Sequence, residues 1–344
     1  MSSTPVLFIV FNRPETTRRV FEAIRAARPE RLYVAADGPR SGRPEESARC
    51  ALVRQIATAV DWPCDVQTRF LDENLGCGRA VTAAIDWFFE HEPAGIILED
   101  DTLPHPDFFG FCGELLDRYA TDERIGMIRG FNPMTLMASR QRRAPRPAET
   151  LEPGSPSYSV SKYNHVWGWA SWRRAWRHHD LNMRFWPRWR GSRAWRQLFR
   201  SRRERWFWRW EMNRVYFGDI DTWDYQWQAA CWYRQKLVIS PRVNLVSNIG
   251  FGEGATHTKI ADDPFSELPT MPLGPIVHPE SLEPDSHWME REFDIVIGRG
   301  RKAILWRVGS LLRELRRRVP PWLGGRTETP AFADMIRERQ GPSS

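Results

Sequence analysis

Three adjacent carboxylates, Glu99, Asp100 and Asp101, follow directly on the apolar run Ile96, Ile97 and Leu98. Like charges side by side disfavour their ionised forms, so a fold that gathers three at a strand end calls for a cation there. Hard oxygen donors of this kind suit Mn2+ or Mg2+, and such ions in turn suit a diphosphate. The plain alternative is a solvated acidic turn. Pro104 and Pro106 stop an immediate helix, and Asp107 is placed to cap the one that starts at Phe108. Two further places carry groups fit for chemistry. In TWDYQW, Asp224 stands between Trp223 and Trp227, and apolar surroundings would raise its proton affinity, as a general base requires. Helix capping is the plain reading of the same residue, and Asp221 competes with it as a base. Gly250, Gly252 and Gly254 lead into Thr256 and His257, a composition that suits a plain turn or a loop closing over a substrate.

The first hundred residues must supply the frame. Strand-length runs, mostly apolar, at 6–11, 32–36, 66–71 and 96–98 alternate with helical patterns at 16–27, 44–60 and 79–89. Such alternation predicts crossover units and a mainly parallel sheet, its apolar strands covered on both faces. Sheets of this kind bind ligands at the carboxyl ends of their strands. Arg13, Asp37, Asn74 and residues 99–101 all fall at those ends. Neither G-x-G-x-x-G nor G-x-x-x-x-G-K-[ST] occurs, which leaves a carboxylate-held metal to offset the charge of a diphosphate. Beyond the frame, the pattern predicts a helix over 107–119, a strand over 125–128 and a helix starting near Ser171. It also predicts a helix running through Tyr233 and short strands over 237–240 and 244–247. Residues 137–156 are rich in Arg, Pro and Ser and are expected to form a loop or insertion, and 262–288 are Pro-rich and poorly periodic.

The chain of 344 residues carries 50 Lys and Arg against 43 Asp and Glu, a net charge of +7. That balance suits nucleotides, phosphorylated lipids, anionic membranes and nucleic acid alike. Five cysteines, an odd number without C-x-x-C spacing, argue against a disulfide framework or a zinc site and fit a reducing compartment. The first strand begins near Pro5, so no signal peptide is read, and no run of about 18 apolar residues predicts a membrane span. Tryptophan, 18 residues in all, is concentrated between Trp167 and Trp232, where a belt from Arg173 to Arg214 sets 14 arginines against three acids. Trp and Arg suit sugar stacking and phosphate pairing or a membrane interface; Trp also simply fills cores. Over 299–319, Ile304, Val308, Leu311, Leu312, Leu315 and Val319 share one helical face, and eight Arg or Lys stand against Glu314. This basic amphipathic helix packs on the domain or lies on an anionic membrane.

Four blocks, in order, carry a resemblance: IILEDDTLPHPDFFGF, HVWGWASWRRAW, TWDYQW and SPRVNLVSNIGFGEGATH. With FNRPETTRRVF near the start, which looks like the opening of many sugar-nucleotide transferases, the chain resembles GT-A-fold glycosyltransferases over about Val6 to His257. The N-acetylglucosaminyltransferase I family is the particular likeness. The resemblance implies an α/β fold of GT-A (Rossmann-like) type, a mainly parallel sheet flanked by helices. Its nucleotide-sugar-binding half would span 1–103 and its acceptor-side half 104–260, followed by a Pro-rich extension over 261–298 and the basic amphipathic tail over 299–344. It implies metal-dependent, inverting transfer of a hexose or N-acetylhexosamine from a UDP-linked donor to a hydroxyl. Asp101 would be the direct metal ligand, with His257 at the metal or the diphosphate, and Glu99 and Asp100 would contact the ribose and donor sugar. Arg13 and Asp37 would hold the nucleotide, Asp37 at the uracil edge. Asp224 would be the base, and Thr256 with the preceding glycines would close over the diphosphate.

The chain departs from the family at 137–156, at Tyr225, where the family has a second acid, and throughout 177–221, so the acceptor and the donor sugar stay open. Expected partners are a UDP-sugar, a glycan or lipid-linked acceptor of a bacterial cell envelope polysaccharide, and an anionic membrane surface, with no nucleic acid. The expected location is the cytoplasm, or peripherally the inner face of the cytoplasmic membrane. Two other readings compete. A nucleotidyltransferase making a sugar nucleotide would share the sheet and acids but would carry a Gly-rich, Lys- or Arg-bearing loop after the first strand, which FNRPETT is not. A binding protein, for single-stranded nucleic acid or glycan, would use the Arg/Trp belt and leaves the acidic strand end unexplained.

Overall fold

In the computed structural model the described residues are 3–136, 154–251 and 265–297. Four strands, β1 (Val6–Val10), β2 (Arg31–Ala36), β3 (Asp65–Phe70) and β4 (Ala94–Glu99), are joined by α1 (Pro14–Ala27), α2 (Pro44–Ala57) and α3 (Cys77–His91). Pro14 and Pro44 open their helices in the first turn, where an N–H has no partner to lose. The strands pair in parallel in the order β3-β2-β1-β4, the crossover arrangement that the alternation predicts.

After β4 the chain makes β5 (Thr102–Pro104), α4 (Asp107–Arg118) and β6 (Ile125–Arg129), then β7 (Tyr158–Ser161) and β8 (Trp169–Trp172). The belt folds into α5 (Arg173–Trp176), α6 (Trp186–Trp189), α7 (Arg193–Leu198) and α8 (Arg202–Tyr216), followed by α9 (Asp224–Tyr233), β9 (Leu237–Pro241), β10 (Val246–Asn248) and α10 (Ser286–Ile297). The main sheet continues β4-β8-β6-β9-β7. β8 is antiparallel to both its neighbours and β7 to β9, while β6 and β9 are parallel. Six of the eight strands therefore run the same way. β10 pairs with β5 in a separate antiparallel ribbon.

Alternate residues of the central strands feed two cores, as a sheet covered on both faces requires. Val6, Phe8 and Val10 pack with α1, α2 and α4 through Phe21, Val53 and Leu115. Leu7 and Ile9 pack with α3 and α9 through Ile85, Phe88 and Trp227. A third core, formed by Trp186, Trp189, Trp195, Phe199 and Trp232 among others, holds the belt helices together. Nine tryptophans between Trp169 and Trp232 are buried, so most of that concentration is packing.

Three sequence expectations are corrected. Ser171 and Trp172 belong to a strand, and the helix after them is the single turn of α5. Asp107 is the first residue of α4 and makes no capping bond; its Oδ2 accepts from the Leu273 N–H at 2.7 Å and so anchors a distant turn. The Pro-rich stretch gives way to α10 at Ser286. The basic helix over 299–319, most of the 137–156 segment, and Thr256 and His257 lie outside the described residues. Among the described residues no helix is long and apolar enough to cross a membrane.

Candidate functional site

The carboxyl ends of β1, β2 and β4, the loop after β3, and the segment leading into α9 surround a cavity of about 920 Å3. Arg13, Asp37, Glu99, Asp100, Asp101 and Asp224 all line it, so the topology gathers every described candidate residue at one edge. Eight carboxylates and four arginines (Arg13, Arg40, Arg69 and Arg214) contribute to the lining.

At the β4 end, Arg13 Nη1 donates to Asp101 Oδ2 at 2.7 Å, and the Phe11 N–H donates to Asp100 Oδ2 at 3.0 Å. The acids crowd one another. Burial, and then the charges of Asp101, Asp100 and Asp224, push the Glu99 carboxyl well above the usual range. Burial and Asp101 push Asp100 up to about 7 against the opposing pull of Arg13 and the Phe11 N–H. Burial likewise raises Asp101, with Arg13 opposing. One guanidinium therefore does not neutralise the group.

The β5–β10 ribbon sets the far wall of this corner. The Ile249 N–H donates to the Asp101 carbonyl at 2.8 Å, and a Cβ on Gly250 would lie 2.1 Å from Asp101 Oδ2. Only glycine lets the backbone lie so close to the carboxylate. Gly250→Ala should cost about 1–3 kcal/mol of stability by overpacking, read from urea denaturation. Wild-type stability in that variant would show that the ribbon can move aside.

Asp37 is engaged within its own loop. Its Oδ1 accepts from the Gly38 and Leu75 N–H groups, each at 2.9 Å, and its Oδ2 from Asn74 Nδ2 at 2.9 Å. Burial raises this carboxyl, and the backbone donors oppose the shift. The residue thus folds the β3–α3 loop against the cavity.

Asp221 and Asp224 have different surroundings. Asp221 Oδ1 accepts from the Gly78 N–H at 3.0 Å in the first turn of α3. A Cβ on Gly76, whose φ is +81°, or on Gly78 would lie 2.7 Å from an Asp221 carboxylate oxygen. Asp221 therefore closes the N-terminus of α3, where a negative charge is favoured. Asp224 is the first residue of α9; Trp223 occupies the cap position, so capping does not account for it. It is half-buried, with Trp223 and Trp227 both buried beside it, and the Thr222 hydroxyl donates to its Oδ1.

Arg40, Arg69, Arg214 and Trp167 also line the cavity, and sequence reasoning singled out none of them. Arg40 is held by Glu46, with Nε donating to Oε1 at 2.8 Å, and lies 5.6 Å from the centre of the Phe11 ring. Arg214 donates to Glu211 at 3.2 Å; nothing in the sequence distinguishes it among the belt arginines. Among the described residues no three His, Cys, Asp or Glu side chains are grouped so as to hold a metal ion by themselves.

No family model and no curated protein matches the chain. Among solved structures, HddC from Yersinia pseudotuberculosis is similar over 37% of this chain, at 14% identity and a TM-score of 0.25. The similarity spans 57% of that protein's length. Mouse xyloside xylosyltransferase 1, in its apo form, is similar over 68% of this chain and 83% of its own, at 12% identity and a TM-score of 0.31. Neither likeness is strong enough to carry an assignment, and neither singles out the N-acetylglucosaminyltransferase I family.

Proposed function

We propose that the chain is a glycosyltransferase that moves a sugar from a UDP-linked donor to a hydroxyl acceptor, with inversion at the transferred carbon. The observation that carries this reading is the shared cavity: the acidic end of β4 and Asp224 at the start of α9 face the same 920 Å3 space. That volume suits a ligand of nucleotide-sugar size.

With eight carboxylates against four arginines in its lining, the cavity would repel a diphosphate that entered alone. The donor set fits Mg2+ or Mn2+ bound through one or two carboxylates and completed by substrate phosphates, rather than caged by protein. Asp101 would hold such an ion, with His257 as a second candidate. Bound there, the ion supplies Lewis-acid stabilisation of the leaving diphosphate.

The chain's own residues do the rest. Arg13 adds positive charge at the same corner. Glu99 and Asp100 are placed to bind ribose and sugar hydroxyls. Asp37, at the cavity edge, is the candidate for the uracil edge. Asp224 takes the proton from the acceptor hydroxyl. Thr256, outside the described residues, is the candidate for the diphosphate contact that would exclude water. The acceptor is a glycan or a lipid-linked hydroxyl.

Calorimetric titration of UDP, with and without Mn2+, on wild type and Asp101→Ala tests the donor half. Micromolar binding that requires both the metal and Asp101 is expected. No binding under any condition would return the acidic strand end to a solvated turn and remove the UDP reading.

A further inference from the structure

A second cavity, of about 240 Å3 and open to solvent, lies in the Arg/Trp belt between α6, α7 and α8. Its lining contains no acid. Arg190, Arg196, Arg202, Arg205 and Arg209 surround it, together with Trp195 and Trp206. The local sequence arranges this. Arg202, Arg205 and Arg209 recur at i, i+3 and i+7 and share one face of α8, while Arg190 follows α6 and Arg196 sits on α7. The ion pairs of this region are made by other residues: Lys162 with Glu204, Arg184 with Asp180, Arg203 with Asp294 and Arg214 with Glu211. Among the described residues, none of the five cavity arginines pairs with an acid.

A second observation points the same way. The bonds that three of these arginines make go to neutral acceptors: Arg190 Nη1 donates to Asn213 Oδ1 at 3.0 Å, Arg196 Nη1 to the Gly191 carbonyl at 3.0 Å and Arg205 Nη2 to the Phe199 carbonyl at 3.5 Å, so their charges stay uncompensated. Five arginines lining one cavity without an acid are complementary to a multiply charged oxyanion, because the guanidinium fork matches phosphate oxygens. The volume admits one phosphate or diphosphate group and falls below that of a nucleotide-sugar pocket.

We propose that this cavity binds a phosphate or diphosphate group, carried by a soluble ligand, by the acceptor or by a lipid headgroup. It is separate from the carboxylate-rich cavity. Arg205 lies roughly 14 Å along α8 from Arg214, the α8 arginine that lines the larger cavity, and about half a turn round the helix from it. The site does not depend on the sugar-transfer reading. If UDP fails to bind and this site persists, only that reading falls.

The test is calorimetric titration of inorganic pyrophosphate into the full chain in EDTA. Wild type is compared with Arg205→Gln/Arg209→Gln, and with Arg188→Gln/Arg193→Gln, which alters the belt outside the cavity. Should the first pair melt early, Arg202→Gln/Arg209→Gln, at two exposed positions, replaces it. One saturable site is expected, at least tenfold weaker in the cavity variant and unchanged in the other. No binding by wild type, or an equal loss in both variants, would overturn the proposal, because diffuse attraction would then account for everything. Phosphatidylglycerol vesicles identify the carrier. Displacement of pyrophosphate by vesicles, with co-sedimentation lost in the cavity variant, assigns a lipid headgroup. Pyrophosphate binding without vesicle binding assigns a soluble or acceptor-borne phosphate. Binding of a single-stranded oligonucleotide in preference to pyrophosphate would overturn the proposal in favour of a nucleic-acid surface.

Discussion

Asp224→Asn is expected to lower turnover by about 10²–10⁴-fold, the range that a positioned general base supplies, while UDP affinity and thermal stability stay near wild type. The substitution keeps the shape of the side chain and an oxygen able to accept from the Thr222 hydroxyl, the contact that orients Asp224 at the start of α9. What it removes is the ability to take a proton. The measurement is UDP release from a panel of UDP-sugars with candidate acceptors, resolved into kcat and the donor KM. A fall in kcat alone supports a base. Equal losses in kcat and donor affinity would make Asp224 a donor-binding residue instead. Asp221→Asn is the contrasting variant, because Asp221 is tied to the Gly78 N–H and the amide oxygen can still accept that bond. It should leave turnover close to wild type. Inverted product stereochemistry completes the case, since retention would require a nucleophile on the other face of the sugar.

The parallel half of the sheet was legible because β1, β2 and β4 are apolar runs separated by helical periods, while β3, Asp65–Phe70, is a more polar strand at the sheet edge. The hydrophobic effect acting on those runs places them at the centre whatever follows in the chain. The candidate site was legible for the same reason: strand ends in such a sheet share one edge, so Arg13, Asp37 and Asp101 line one cavity without any contact having to be guessed. What sequence could not show is pairing across distance. β8 is a Trp-Ala-Ser-Trp segment wedged antiparallel between β4 and β6, and neither propensity nor period encodes a strand's direction. Asp107 serves a turn at Leu273, although its position beside Pro106 suggests a cap. The separate duties of Asp221 and Asp224 depend on Gly78, which is close to Asp221 only in space. Arg214 reaches the cavity because of where α8 packs, not because of anything in its own neighbourhood of like arginines.

Glu292→Ala is expected to destabilise the fold by about 3–5 kcal/mol, the cost of leaving a buried charge without its partner. Glu292 on α10 and Arg129 at the end of β6 are both fully buried, with Arg129 Nη1 and Glu292 Oε1 2.5 Å apart. Ser161 Oγ donates to Glu292 Oε2 at 2.7 Å, and His165 Nε2 lies 2.9 Å from Oε1. Arg129 also donates to Ser240 Oγ at 2.7 and 3.0 Å and to the Tyr163 carbonyl at 2.9 Å. These neutral contacts would remain in the variant, but the only carboxylate that contacts Arg129 among the described residues would be gone. Replacing both partners, as Arg129→Met/Glu292→Leu, should recover part of the loss, because no charge then stays buried. Acid supplies an independent measure. Burial pushes the Glu292 carboxyl up, but the Arg129 charge and the His165 contact outweigh it and hold the group at about 2, against an ordinary 4.5. A folded value below the unfolded one contributes stability that is complete above about pH 5 and is lost as pH falls toward 2, about 3 kcal/mol in all. Burial also lowers the His165 value below its ordinary 6.5, so its contribution likewise declines as the solution is acidified. Urea denaturation at pH 7, 5 and 3 should therefore show the gap between wild type and Glu292→Gln narrowing with acid. Parallel declines would place the acid sensitivity in other carboxylates and leave α10 held by its remaining contacts, among them the Arg203–Asp294 pair.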